Sequence, residues 1–120
     1  MSIDHRWIAS GLVLLWVWGG VLGGVALGGA GDPGKEVYQK RCQSCHGPDG
    51  KGNPKMAETL KVTMQELDVT TPTVLGKPET ELLKAIANGK GKMPPLGKVL
   101  NEPDQRAVLS YMKLLVMGAR

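Results

Sequence analysis

Phenylalanine is absent from the 120 residues, and other aromatic side chains are scarce. The three tryptophans stand at positions 7, 16 and 18, so beyond residue 30 only Tyr38 and Tyr111 remain. A region of about ninety residues buries only about 60–65% of its unfolded surface and is marginal unless something reinforces it. Aromatic packing is excluded as that reinforcement. Histidine is almost as rare, with His5 and His46 alone, and the two cysteines stand together at 42 and 45. A structural zinc site needs four ligands, and a second Cys or His pair is missing. A thioredoxin-type dithiol needs a βαβ pattern around its C-x-x-C, and no strand-like alternation follows. Nucleic-acid binding is disfavoured, because no aromatics interleave with the basic residues.

What is present is Cys42-Gln43-Ser44-Cys45-His46. Two thiols three positions apart can each add to one vinyl group of a haem, and the adjacent imidazole then falls where the iron needs a ligand. One covalent haem c would also supply the apolar bulk that the composition withholds. If both cysteines carry thioethers, no disulfide is left to form.

From Trp7 to Ala30 there is no charged residue, and Asp4 and Arg6 cancel in the short head before it. That layout is an export signal or a membrane anchor. At about 1.5 Å per residue the stretch is long enough to span roughly 30 Å of hydrocarbon as a helix. Gly20, Gly24 and Gly28 line one face of such a helix and permit close packing against another. Gly28-Gly29-Ala30 also offers small residues to a signal peptidase. We therefore divide the chain into residues 1–30, anchor or signal peptide, and a functional domain at 31–120. An anchor places that domain on the periplasmic side of a bacterial cytoplasmic membrane; cleavage releases it as a soluble periplasmic protein.

The domain reads as helices and loops. Asp32-Pro33, with Glu36 in the first turn, starts a helix running to about Cys42. Gly47 to Pro54 is a run of turn formers, and Lys55 to Leu60 is a short helix. Thr63 to Leu67 reads as a turn and Thr70-Thr71-Pro72 as a break. Pro78 to Asn88 carries an apolar stripe of Leu82, Leu83 and Ile86, ended by Gly89. Gly89 to Leu100 is irregular. A last helix starts near Asn101-Glu102-Pro103, with Ala107, Val108, Tyr111, Met112, Leu115 and Val116 recurring at helical spacing.

The second axial ligand of the iron decides between electron transfer and ligand chemistry. No histidine follows His46, so methionine is the natural candidate, and five follow the motif: Met56, Met64, Met93, Met112 and Met117. Core packing or gap filling accounts for four of them. Met93 differs, because Lys92-Met93-Pro94-Pro95 restricts the backbone and can hold a sulfur at fixed distance from a metal. His46 should donate from its other ring nitrogen to a backbone carbonyl; a carbonyl in the Asn53–Lys55 segment is the plausible acceptor, though spacing alone does not choose it.

These motifs, in this order, resemble the class I c-type cytochromes over almost all of residues 31–120. Gly34 and Tyr38 resemble that family's glycine and aromatic on the first helix, packing against an aromatic on the last, here Tyr111. Cys42 to Gly47 with Gly50 and Gly52 resembles the attachment loop, and Asn88 to Pro94 the methionine loop. The resemblance implies an all-α fold of three to five helices around one covalent haem, preceded here by a hydrophobic N-terminal helix. It also implies cofactor-binding by Cys42, Cys45, His46 and Met93, the last two as iron ligands. The domain departs from the family in having no tryptophan to pack against a propionate.

With both axial positions filled, no site remains for a substrate, and outer-sphere electron transfer is expected rather than catalysis. The protein would be a tethered carrier or the cytochrome subunit of a membrane electron-transfer complex. The alternative is a haem protein that binds a gas or peroxide after losing the methionine. The net charge of +4 lies wholly beyond residue 30, with Lys90, Lys92 and Lys98 in one loop and Lys51, Lys55 and Lys61 in another. Redox partners with acidic docking surfaces are the matching class.

Overall fold

A computed structural model describes residues 31–118, so the expected N-terminal hydrophobic helix lies outside the described residues. Among the described residues there is no β-strand, and seven helical segments follow one another. Four are longer: α1 (Pro33–Arg41), α3 (Pro54–Leu60), α6 (Glu79–Asn88) and α7 (Glu102–Gly118). Three are single turns: α2 (Gln43–His46), α4 (Met64–Leu67) and α5 (Pro72–Leu75).

Short polar side chains set where each helix begins. The Asp32 carboxylate accepts from the Gly34 and Lys35 amides at 2.8 and 3.4 Å, with Pro33 at the first helical position. Glu36 lies in the first turn of α1 and Lys40 and Arg41 in its last, the arrangement that the helix dipole favours. Asn53 caps α3 by accepting from Lys55 and Met56. Asn101 caps α7 by accepting from Asp104 at 2.8 Å.

Two segments differ from the sequence reading. Thr63 to Leu67 is more than a turn: Thr63 and Glu66 form a reciprocal capping box that opens α4. The break at Thr71-Pro72 is likewise a helix start, with the Thr71 hydroxyl accepting from Val74. Thr-Pro serves equally as a stop for one element and as cap and first residue of the next.

The domain is built on the crossing of α1 over α7. Gly34 makes that crossing possible, because a Cβ there would fall 2.1 Å from the Ala107 carbonyl oxygen. One turn on, the rings of Tyr38 and Tyr111 meet with centroids 5.4 Å apart, tilted by 56°, within the range of favourable aromatic pairs. The glycine and aromatic contacts implied by the family resemblance are thus present. Around the crossing, Tyr38, Cys42, Leu82, Ile86, Leu100, Val108, Leu109 and Met112 form one buried cluster. α6 contributes the expected stripe of Leu82 and Ile86, with Leu83 partly buried. On α7 the buried line also takes in Leu109 and Gln105, which the apolar spacing did not single out. Glu79 of α6 pairs with Arg106 and Lys113 of α7 at 3.1 and 3.0 Å; these exposed pairs orient the helices more than they stabilise them.

Candidate haem site

The C-x-x-C-H stretch sits where α1 ends and α2 begins. Cys42 closes α1, its amide donating to the Tyr38 carbonyl at 2.8 Å, and also opens α2. Cys42 and Cys45 are three apart across this helical turn, which brings the two side chains to one face. Neither forms a disulfide. Cys42 belongs to the buried apolar cluster, whereas Cys45 is partly exposed. Burial, reinforced by the neighbouring Cys45, pushes the Cys42 thiol up to about 11. Unattached, that thiol stays protonated at neutral pH.

His46 ends α2. Its Nδ1 lies 2.7 Å from the Leu67 carbonyl oxygen. A carbonyl can only accept, so Nδ1 carries the proton and Nε2 keeps its lone pair available for a metal. The acceptor corrects the expectation that a carbonyl from Asn53–Lys55 would serve. The Asn53 carbonyl is otherwise engaged, accepting from the Ala57 amide at 2.9 Å within the start of α3. Leu67 arrives because the attachment loop folds back on itself. The Gly52 amide donates to the His46 carbonyl at 2.7 Å, and the Val69 amide to the Gly50 carbonyl at 2.9 Å. Gly47, with φ of +76°, starts this return, and a side chain there would strike the Gly52 carbonyl. The Tyr38 hydroxyl, buried and held above its usual pKa chiefly by that burial, donates to the Gly47 carbonyl at 2.7 Å. The first helix and the attachment loop are thereby joined through a hydroxyl.

Met93 occupies a different kind of support. Lys90 and Met93 exchange two backbone hydrogen bonds, at 3.1 and 2.9 Å, around the tight turn at Gly91-Lys92. Pro94 and Pro95 stiffen the next two residues. Leu96 and Gly97 then donate their amides to the carbonyls of Ile86 and Ala87 at 3.0 and 2.9 Å. Those carbonyls belong to the last turn of α6, where they have no intrahelical partner. The methionine loop therefore acts as the C-terminal cap of α6. Met93 is partly buried and packs against the same apolar cluster that contains Cys42.

The donors fit a covalent haem: two unpaired thiols on one turn, an imidazole with one nitrogen committed and one free, and a thioether on a pinned loop, all beside apolar residues. Of the other methionines, Met112 is part of the core and Met117 is exposed. Among the described residues, no group of three or more His, Cys, Asp or Glu side chains is placed to hold a metal ion. Two shallow surface concavities, of about 340 and 400 Å³, are lined by residues of α6 and α7 and by Pro48, Asp49 and Lys51, and none of the four candidate residues borders them.

Comparison with known proteins adds to this geometry. The profile of a family described as cytochrome c oxidase, cbb3-type, subunit III, matches residues 29–112. A protein of Azospirillum brasilense named cbb3-type cytochrome c oxidase subunit CcoP is 31% identical over 90 residues. The alignment covers 74% of this chain and 30% of that relative, so the chain spans less than a third of the relative's length.

Proposed function

This chain belongs to the cbb3-type cytochrome c oxidase subunit III family and is a mono-haem class I c-type cytochrome carrying haem c, and we propose that it performs outer-sphere electron transfer as the cytochrome subunit of a membrane electron-transfer complex. Cys42 and Cys45 would hold the haem through thioethers, and His46 Nε2 and the Met93 sulfur would bind the iron. Haem iron supplies the one-electron chemistry. The chain's own residues set its direction. A thioether ligand favours the ferrous state relative to a second imidazole. An apolar surround works the same way, because it penalises the extra charge of the ferric form. The Leu67 carbonyl makes His46 a better donor and opposes this shift in part.

The observation that carries the reading is the bond from His46 Nδ1 to Leu67, since it orients an imidazole next to two free thiols with only Nε2 left to coordinate. With His46 and Met93 both engaged on the iron, the domain would have no place for a substrate and would act as a carrier, not a catalyst. On this reading the domain faces the periplasm and residues 1–30 tether it. Among the described residues no helix is long and apolar enough to cross a membrane.

Charge distribution supports an acidic redox partner. Glu36, Glu79, Glu81 and Glu102 are engaged in ion pairs within the domain. Lys51, Lys55, Lys61, Lys90, Lys92 and Lys98 take part in no ion pair among the described residues. Their field is left to act on what approaches.

Replacing Met93 with alanine in the haem-loaded protein tests the ligand set. The ferrous protein should then bind carbon monoxide rapidly and stoichiometrically, and the reduction potential should fall. An unchanged spectrum and potential would remove Met93 from the iron. Rapid carbon monoxide binding by the unaltered protein would instead favour a ligand-binding haem protein.

A further inference from the structure

Gln105 is the buried polar side chain of the described core, 9% exposed, one turn into α7. Its Nε2 donates to the Leu100 carbonyl at 2.8 Å in a buried setting. The partner is a carbonyl, so the amide face of the glutamine must point to it. Leu100 is the last residue of the irregular segment that begins at Gly89, and its side chain, 5% exposed, is part of the core. Its carbonyl stands just ahead of the α7 cap Asn101, where no helical amide reaches it.

The segment from Met93 to Leu100 is thus held at three places. The Lys90–Met93 pair closes its first turn, Leu96 and Gly97 bind the end of α6, and the Leu100 amide donates to Leu96 at 2.9 Å while its carbonyl is taken by Gln105. Only the last attachment uses a side chain. It ties the loop to α7, and through α7 to the crossing with α1 that carries the cysteines. A buried acceptor that loses its donor is costly, and the loop relieves that cost by letting Leu100 move out to water. Because Leu96 to Leu100 are linked by turn hydrogen bonds and Pro94-Pro95 are stiff, such movement is transmitted to Met93.

We infer that Gln105 is the positioning residue of the methionine loop, holding the Met93 sulfur in place by satisfying the Leu100 carbonyl. The inference rests on Met93 being an iron ligand. Gln105→Met, of similar length and apolar, removes the donor while filling the space; Gln105→Glu places a carboxylate against the carbonyl. In the haem-loaded full chain, both variants should weaken the far-red absorption of a thioether bound to ferric iron. Both should also bind carbon monoxide about tenfold faster in the ferrous state, by the size of a lost buried hydrogen bond. Hydrogen exchange at Leu96 and Gly97 should accelerate while that of α1 is unchanged. Folded variants that keep the absorption band and the carbon monoxide rate of the parent would reduce Gln105 to a packing residue. The unaltered protein gives an independent reading: the Gln105 side-chain amide should exchange slowly, and rapid exchange overturns the inference without any variant. If Met93→Ala leaves the iron unaffected, the ligand reading itself falls and this inference with it; if only the Gln105 variants are silent, the ligand reading survives alone.

Discussion

The two proposed ligands of the haem iron, His46 and Met93, are held by different means. On the histidine side, residues 42–52 lie within a mesh of contacts: Tyr38 binds Gly47, Asn53 binds Ser44 and Cys45, Gly52 binds His46, and Leu67 binds the imidazole. Much of that mesh is anchored to α1, which is locked to α7 at Gly34. On the methionine side, one loop is pinned to the end of α6 by two amides and to α7 by one side chain. A ligand held by few bonds is lost first when a structure loosens, because local opening has a lower free energy than global unfolding. The histidine side should therefore be a condition of folding, and the methionine side a condition of function within a folded protein.

The harshest test of that asymmetry removes both attachment points. Cys42→Ser together with Cys45→Ser should abolish covalent haem completely, read as loss of haem stain on a denaturing gel. Haem still covalently bound in the double variant would refute the assignment of those thiols. Next in size, Gly34→Val drives a side chain into the Ala107 backbone and should cost about 3 kcal/mol or more, beyond ordinary overpacking because carbonyl backbone cannot rotate away. Denaturant melts of the haem-loaded protein report it; a change under about 1 kcal/mol would mean that the helices can slide apart without loss. Met93→Ala, by contrast, should leave haem retention intact while opening the iron, so a variant that loses haem or fails to fold would erase the distinction between the two sides. The smallest structural effect belongs to Lys90→Glu with Lys92→Glu. Both side chains are on the exposed turn of the methionine loop, so stability should hardly move, whereas electron delivery to an acidic partner should slow and lose its dependence on ionic strength. A salt dependence equal to the parent's would place docking elsewhere.

Much of the domain was readable from residue types because its signals are local. Asp32-Pro33, Asn88-Gly89 and Asn101-Glu102-Pro103 announce helix ends through groups that act within three or four residues: α1 and α7 begin, and α6 stops, where those signals stand. The thiols and imidazole of Cys42 to His46 declare their chemistry in five consecutive positions. Family resemblance then foretold the meeting of Tyr38 with Tyr111, which the ring geometry bears out. The single turns α4 and α5 were harder, since a capping Thr followed by Pro or a short run cannot be told from a loop until the hydrogen bonds are closed.

Composition and order alone singled out a covalent haem as the cofactor, Cys42 to His46 as its candidate attachment stretch and Met93 as the candidate second ligand, because those are matters of covalent chemistry and of which side chains exist. Three-dimensional packing alone decided which carbonyl accepts the hydrogen bond from His46 Nδ1, that Gln105 turns inward, and that the methionine loop caps α6. Those outcomes depend on backbone groups that every residue possesses alike, so only the return of the chain on itself selects among them.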